Sequence, residues 1–318
     1  MTMVRGEFSQ LLAPGLHDIF VQWLDLKQRK EEFSHIFHME TSDGAYEDEV
    51  EYAAMVGGMP EKPEGEAFTY EDAVEGNSKR YEPLSYGLGV RSSYELIKDD
   101  KYALIQQVPK ALARAAHFTK EQKAWNVINL GFTSTKTIDG LSLFNSQHAL
   151  LGGAAATNTG PGLTNVISAA GTYPNRPATD VDLSLTALQS AINTFERLID
   201  ASGMPISIIP KLLVVPPPLK YIAREILGSP HKPYTSDNEI NALLEEDLHY
   251  FVGHYLTSDS AWFLLSDKES HSLKFKTREE LDEDFADDFD TKSVKQVSFM
   301  RIVADVTNWF GTYGSNGP

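Results

Sequence analysis

The chain has 318 residues, 42% of them hydrophobic and 23% charged, enough apolar material for one large or two modest cores and too much for a disordered chain. It holds no cysteine, which excludes a disulfide scaffold, a thiolate zinc site, an iron–sulfur cluster and a cysteine nucleophile. The net charge of −17, from 28 Lys and Arg against 45 Asp and Glu, argues against tight nonspecific binding of nucleic acid over a broad surface, because that binding needs basic side chains to displace counterions.

No run of about 18 apolar residues is present, so no membrane-spanning helix is predicted. The first twenty residues lack the basic and apolar regions of a signal peptide. From residue 1 to about 40 the chain reads as a helical arm. Leu16, Ile19, Phe20, Trp23 and Leu24 recur at spacings of three and four and share one helical face. Two readings stand for it: a short core helix, or an arm that packs on a neighbouring subunit.

Residues 43 to 76 carry eleven acidic side chains against Lys62 alone. The polar turn sequence Gly57 to Gly65 sits in their middle, between apolar stretches at Tyr52 to Val56 and Phe68 to Val74. That pattern predicts a long acidic two-stranded excursion. Such a hairpin has no core of its own and is marginal alone in water, so it must lie on something.

Strict alternation over residues 81–91 predicts a half-buried strand, with Leu84, Tyr86, Leu88 and Val90 on one side and Ser85, Gly87, Gly89 and Arg91 on the other. A long helix follows over residues 109–129. Pro109 suits its first position, Ala111, Ala115, Phe118, Gln122 and Trp125 mark its apolar face, and Gly131 ends it. Residues 131–180 are low in charge and rich in small and polar side chains, a long irregular stretch of the kind that carries function or intersubunit contacts.

Regular α/β alternation then begins. Leu185, Leu188, Ile192, Phe195 and Ile199 mark an amphipathic helix closed by Gly203, and residues 206–215 read as a buried strand broken by Pro216, Pro217 and Pro218. Leu219, Ile222, Ala223 and Ile226 mark a further helix stopped by Gly228. Residues 249–256 and 261–266 flank Thr257-Ser258-Asp259-Ser260 as a predicted hairpin. Residues 278–290 are acidic, and Met300 to Val306 alternate as a last strand. No internal repeat or heptad array is present.

Catalytic and ligand-binding patterns are weak. The P-loop, the GxSxG elbow and the HExxH helix are all missing. Gly87-Leu88-Gly89 starts like a dinucleotide fingerprint, but it lacks the third small residue and lies within a strand pattern. His249 and His254, five apart, point to opposite faces of a strand and make poor co-ligands. His35 and His38 share a helical face without a third ligand and read as surface or interface histidines. Asp282, Asp284, Asp287, Asp288 and Asp290 resemble a calcium loop only loosely, without its Gly and Glu, and read as a solvated acidic face with weak cation binding at an interface as the alternative. No catalytic, cofactor-binding or metal residue is assigned, and no cofactor.

Four segments carry a resemblance: Leu143 to His148 (LFNSQH), Pro210 to Pro217 (PKLLVVPP), Asp259 to Leu265 (DSAWFLL), and the ending from Arg301 through Asp305 and Trp309 to Gly311-Thr312-Tyr313-Gly314-Ser315. Their order and spacing resemble the major head (capsid) subunits of tailed phages, in particular the T head subunit of Mu-like phages, within the Hong Kong 97 capsid fold. The resemblance implies an α+β fold with an N-terminal arm at 1–43, an extended E-loop at 44–80, and a peripheral (P) domain at 81–140 whose spine helix spans 109–130. It implies an axial (A) domain at 141–272 and a return to the P domain at 273–318. It also implies self-association into pentamers and hexamers of an icosahedral shell around double-stranded DNA held without tight specific binding. A scaffold or protease, a portal and a decoration protein would be further partners, with assembly in the host cytoplasm and no membrane. No acidic helical prefix is visible, so scaffolding is expected from a separate protein or the chain is a processed one. Two other classes remain beside this: a soluble α/β enzyme with its site in the 131–180 loop, and a monomeric binding module whose acidic excursion grips a basic partner.

Overall fold

The computed structural model describes residues 17–24, 31–54, 59, 61–68, 70, 74–93, 107–148, 173–199, 205–232, 239–288 and 293–317. Leu16, Gly203, Asp290, the excursion at residues 55–58 and residues 149–172 of the long loop lie outside them. The chain divides into two compact units: residues 1–47, 82–124 and 275–304, and residues 48–81, 125–274 and 305–318.

The first unit is a four-stranded sheet with helices on it. Its strands are β1 (His38–Thr41), β4 (Leu84–Ser92), β8 (Leu273–Asp288) and β9 (Ser293–Val306), in the order β1-β8-β9-β4. β4 and β9 pair antiparallel without a register break from Leu84↔Ile302 to Ser92↔Val294. The predicted strand is present as β4, but the predicted half-buried alternation is not: as an edge strand it buries no residue, with Tyr86 and Val90 partly covered and Leu84 and Leu88 at least half exposed. The acidic 278–290 stretch is drawn into β8, where Asp282 and Asp284 stay exposed while Glu283 is buried.

Helix α1 (residues 17–24) seats Phe20 against Leu112 and Ala113, with Trp23, Leu24, Val90, Val108 and Leu281 around them. The three–four spacing read in the sequence thus does mark its packed face. Further on, a 3-10 turn at Phe33–His35 puts the Phe33 ring 4.5 Å from that of Phe275.

Helix α2 (Gln107–Asn129) starts two residues earlier than predicted, and its packed face is not the predicted one. Ala111 and Gln122 are exposed and Phe118 is 51% exposed, while Leu112, Ala113, Ala116, His117, Lys120, Glu121 and Ala124 are buried. The hidden face carries His, Lys and Glu, so hydrophobic periodicity pointed about one residue off. Trp125 is buried as expected.

The second unit centres on β5 (Pro210–Val215), β6 (His249–Val252), β7 (Trp262–Ser266) and β10 (Thr312–Ser315), in the order β10-β7-β5-β6. β5 pairs parallel with β6 and antiparallel with β7. The predicted 249–266 hairpin is therefore not formed, because β5 lies between its two arms. The physical reason is burial: β5 is apolar enough on both sides to be central, whereas β6 exposes His249 at its start. Helix α3 (Leu185–Glu196), capped by Ser184 accepting from the Ala187 N–H, and helix α4 (Lys220–Gly228) cover this sheet. Leu188, Ile192 and Phe195 of α3 and Ala223 and Ile226 of α4 share one core with Leu213, Val215, Trp262 and Leu264. A separate two-stranded ribbon, β2 (Glu47–Ala54) and β3 (Val74–Tyr81), belongs to the same unit.

Candidate assembly site

The ribbon β2–β3 is the predicted acidic excursion, with strands shifted outward in sequence from the predicted apolar stretches. Its stem is held by polar contacts rather than by a core. Across the ribbon, Arg80 donates to both carboxylate oxygens of Asp48, at 2.7 and 2.9 Å. These hydrogen bonds hold the exposed Asp48 carboxyl below its usual range.

At the base, the Lys79 ammonium donates to the Lys136 carbonyl, the Asp305 carboxylate and the Val306 carbonyl, each at 2.6 Å. Three donors on one ammonium are thereby satisfied by three oxygens. The Tyr81 and Thr307 hydroxyls lie 2.6 Å apart, Asn77 donates to the Ile138 carbonyl, and Lys274 reaches Glu49 at 2.8 Å. Thr307 also donates to Glu49. Charge-assisted bonds of this kind fix direction as well as contributing energy, so the stem is tied to the 136–138 and 305–307 segments of its own unit.

Beyond the stem the apolar side chains are uncovered. Met59 is fully exposed, Phe68 70% and Tyr70 89%. Lys62 lies 4.8 Å above the Phe68 ring, in the cation–π range. Three large apolar groups facing water on one acidic loop are expensive unless something else covers them.

The loop after α2 is built around His148, which is fully buried and stacked on Trp309 at 4.7 Å. Its Nδ1 lies 2.6 Å from the Asp139 carboxylate and its Nε2 3.1 Å from the Leu143 carbonyl. Asp139 also accepts from the Thr137 hydroxyl and the Leu141 N–H. Burial pushes the Asp139 carboxyl up, but these bonds outweigh it and hold it below its usual range. A bridge between His148 and Tyr173, with Asn175 accepting from the Asn145 N–H and donating to the Leu143 carbonyl, closes the neck on either side of residues 149–172.

The histidines singled out in the sequence are not brought together. His35 lies in the 3-10 turn and His38 sits 3.6 Å from Glu40; exposed His249 is 3.7 Å from Asp247, and His254 lies in the turn after β6. Among the described residues no group of three or more His, Asp or Glu is placed to hold a metal ion. No helix among them is long and apolar enough to cross a membrane. Lys79 and Lys274 within strands, and Thr307 just after β9, are lone polar residues with no spacing signature in the sequence. His148 lies within one of the four segments that carry the resemblance, but its buried pairing with Asp139 has no sequence signature.

A family model described as phage capsid protein matches residues 76–314. The chain belongs to the phage capsid protein family. Among solved structures it is similar to the capsid of the cyanophage P-SCSP1u, with a TM-score of 0.57 at 9% identity, covering 90% of this chain and 88% of that one. It is similar also to a chain of Microbacterium phage Oxtober96, at 0.54 and 12% identity over 90% of each. A virus-like particle from Pyrococcus furiosus gives 0.52 at 10% identity, over 94% of this chain and 98% of that one. No curated protein sequence matches the chain. These likenesses fix the fold: α+β, of the Hong Kong 97 capsid type. The protein is a structural capsid subunit of the virion shell that assembles with copies of itself, and the enzyme alternative is set aside by the family.

Proposed function

We propose that copies of this phage capsid protein close into rings of five and six through heterologous contacts, forming an icosahedral head around double-stranded DNA. The first sheet with α2 serves as the P domain with its spine, the sheet around β5 as the A domain, and residues 44–80 as the E-loop. Residues 1–43 are the arm. The E-loop lies across a sibling copy. One observation carries the reading: the stem is pinned by Lys79 to the 136 and 305–306 segments, while Met59, Phe68 and Tyr70 beyond it stand exposed. A loop with a pinned root and bare apolar groups suits burial on another copy.

The net charge of −17 fits a wall that DNA slides past, since an acidic surface repels phosphate within about 8 Å at physiological salt. A scaffold or protease, a portal and a decoration protein complete the partner set, and assembly takes place in the host cytoplasm. Electron microscopy of the expressed chain with its scaffold tests the reading. Pentamers, hexamers or shells are expected. Deleting residues 56–68 leaves the subunit folded and blocks shell closure; intact shells from that deletion overturn the role given to the loop. An inner surface that maps as mainly basic overturns the charge argument.

A further inference from the structure

Residues 17–24 and 31–37 are docked on the first unit of their own chain. Phe20 is buried beside Leu112 and Ala113, and Phe33, Ile36 and Phe37 are fully buried. Two carboxyl groups stand at this contact, each with incomplete compensation. Glu283 of β8, its side chain 1% exposed, meets the half-exposed His17 of α1 at 3.2 Å and accepts from Gln296 of β9. Glu31, its side chain 11% exposed, has Lys120 of α2 at 3.9 Å, beyond hydrogen-bond reach. Asp282 lies next to Glu283, and Glu280 lies near enough to Glu31 to repel it. Beside them Glu121 of α2, fully buried, accepts from the Glu32 and Phe33 N–H groups at 2.6 and 3.3 Å, with His117 at 3.7 Å from it.

We propose that this N-terminal segment is a proton-fastened latch: it is held on its own subunit in mild acid and loosened as pH rises, which frees it to reach a sibling copy. Only the destination of the freed segment rests on the shell reading above; the latch itself concerns a single subunit. The direction follows from linkage. Burial raises both Glu283 and Glu31 above the ordinary value of 4.5. Undocking returns them to water and to that ordinary range. The docked state therefore binds protons more tightly than the undocked one, so lowering pH through the window above 4.5 favours docking and raising it favours release.

The absence of cysteine makes the test direct. A single cysteine at exposed Gln22 (Q22C) takes a nitroxide label on α1 alone, and the spectrum separates docked from mobile label. The full chain is measured unassembled from about pH 4.5 to about pH 8. The ratio of mobile to docked label is expected to climb with pH, by up to about tenfold per pH unit for each proton released. E283Q with E31Q, whose amides stand in for the neutral acids, is expected to stay docked with a flat profile. Should that pair fail to fold, E283Q and E31Q singly must each flatten the profile. A pH-independent wild-type spectrum, release on acidification, or an unchanged slope in the variants overturns the latch. Micrographs of the scaffolded chain report separately: no shells at any pH would overturn the shell reading and leave the label measurement standing.

Discussion

Trp125 offers the sharpest quantitative handle on the second unit. It is fully buried, stacks on Phe251 at 6.4 Å and 12°, and lies so close to Gly253 that a Cβ there would meet the indole at 2.5 Å. A buried Trp removes about 150–250 Å² from water. At about 25 cal/mol per Å² that is worth ~4–6 kcal/mol. Trp125→Ala keeps a methyl and allows partial collapse, so the expected loss is about 3–5 kcal/mol. Gly253→Ala probes the same contact from the other side by overpacking, at about 1–3 kcal/mol. The double variant is the decisive member. The methyl added at 253 enters the space the indole vacated, so the double variant loses less than the sum of the two single losses by about 1 kcal/mol or more. Urea titration of the unassembled subunit reads each value as a shift in midpoint at constant slope. A loss below about 1 kcal/mol for Trp125→Ala, or strict additivity in the cycle, would show that this wall of the core is not packed as described.

Three further outcomes are expected. Lys79→Met removes the ammonium from three oxygens at the ribbon's base; it should cost about 2 kcal/mol locally and read as faster amide exchange along β2–β3 with β5–β7 unchanged, and equal protection in both proteins would refute the pinning. Asp139→Asn concerns a carboxyl held below its ordinary 3.8. Such a group contributes stability above its unfolded value and loses it as pH falls through the folded one, so wild type should weaken more steeply than the variant as pH falls below about 4; parallel acid limbs would refute the pairing with His148. Gly131→Ala should destabilise by about 1–3 kcal/mol, since its Cβ would meet the Phe144 ring at 2.7 Å; a neutral effect in a melting curve would show that this ring can move aside.

Sequence patterning located most elements because their periodicity reports burial. β7 is buried at every position and α3 buries Leu188, Ala191, Ile192 and Phe195, so both were legible. Patterning failed where burial was not apolar. The hidden face of α2 carries His117, Lys120 and Glu121, and Glu121 is buried because it caps the turn that begins at Phe33. An apolar-stripe rule cannot see a carboxylate whose partner is two N–H groups nearly ninety residues away. The same limit hid β5 between β6 and β7. A serine-rich turn between two short strands looks like a hairpin locally, and only the doubly buried β5 decides that each must pair elsewhere.

The contacts at the root of the ribbon lie beyond patterning for a related reason. Lys79, Asn77 and Tyr81 alternate along β3, and all three find partners in segments at 136–138 and 305–307. In the sequence they are three ordinary polar residues of a marginal ribbon. Their contacts give a hairpin without a core a fixed root, and in the proposed shell a fixed root would let exposed Met59, Phe68 and Tyr70 arrive at the same place on every copy. A flexible tether bearing the same side chains would lose ordering entropy at each contact, about 1–2 kcal/mol per residue immobilised, multiplied around each of the proposed rings. In that proposal, stiffness at the stem spends the entropy once, during folding of the subunit, and leaves assembly to be driven by the apolar area still uncovered.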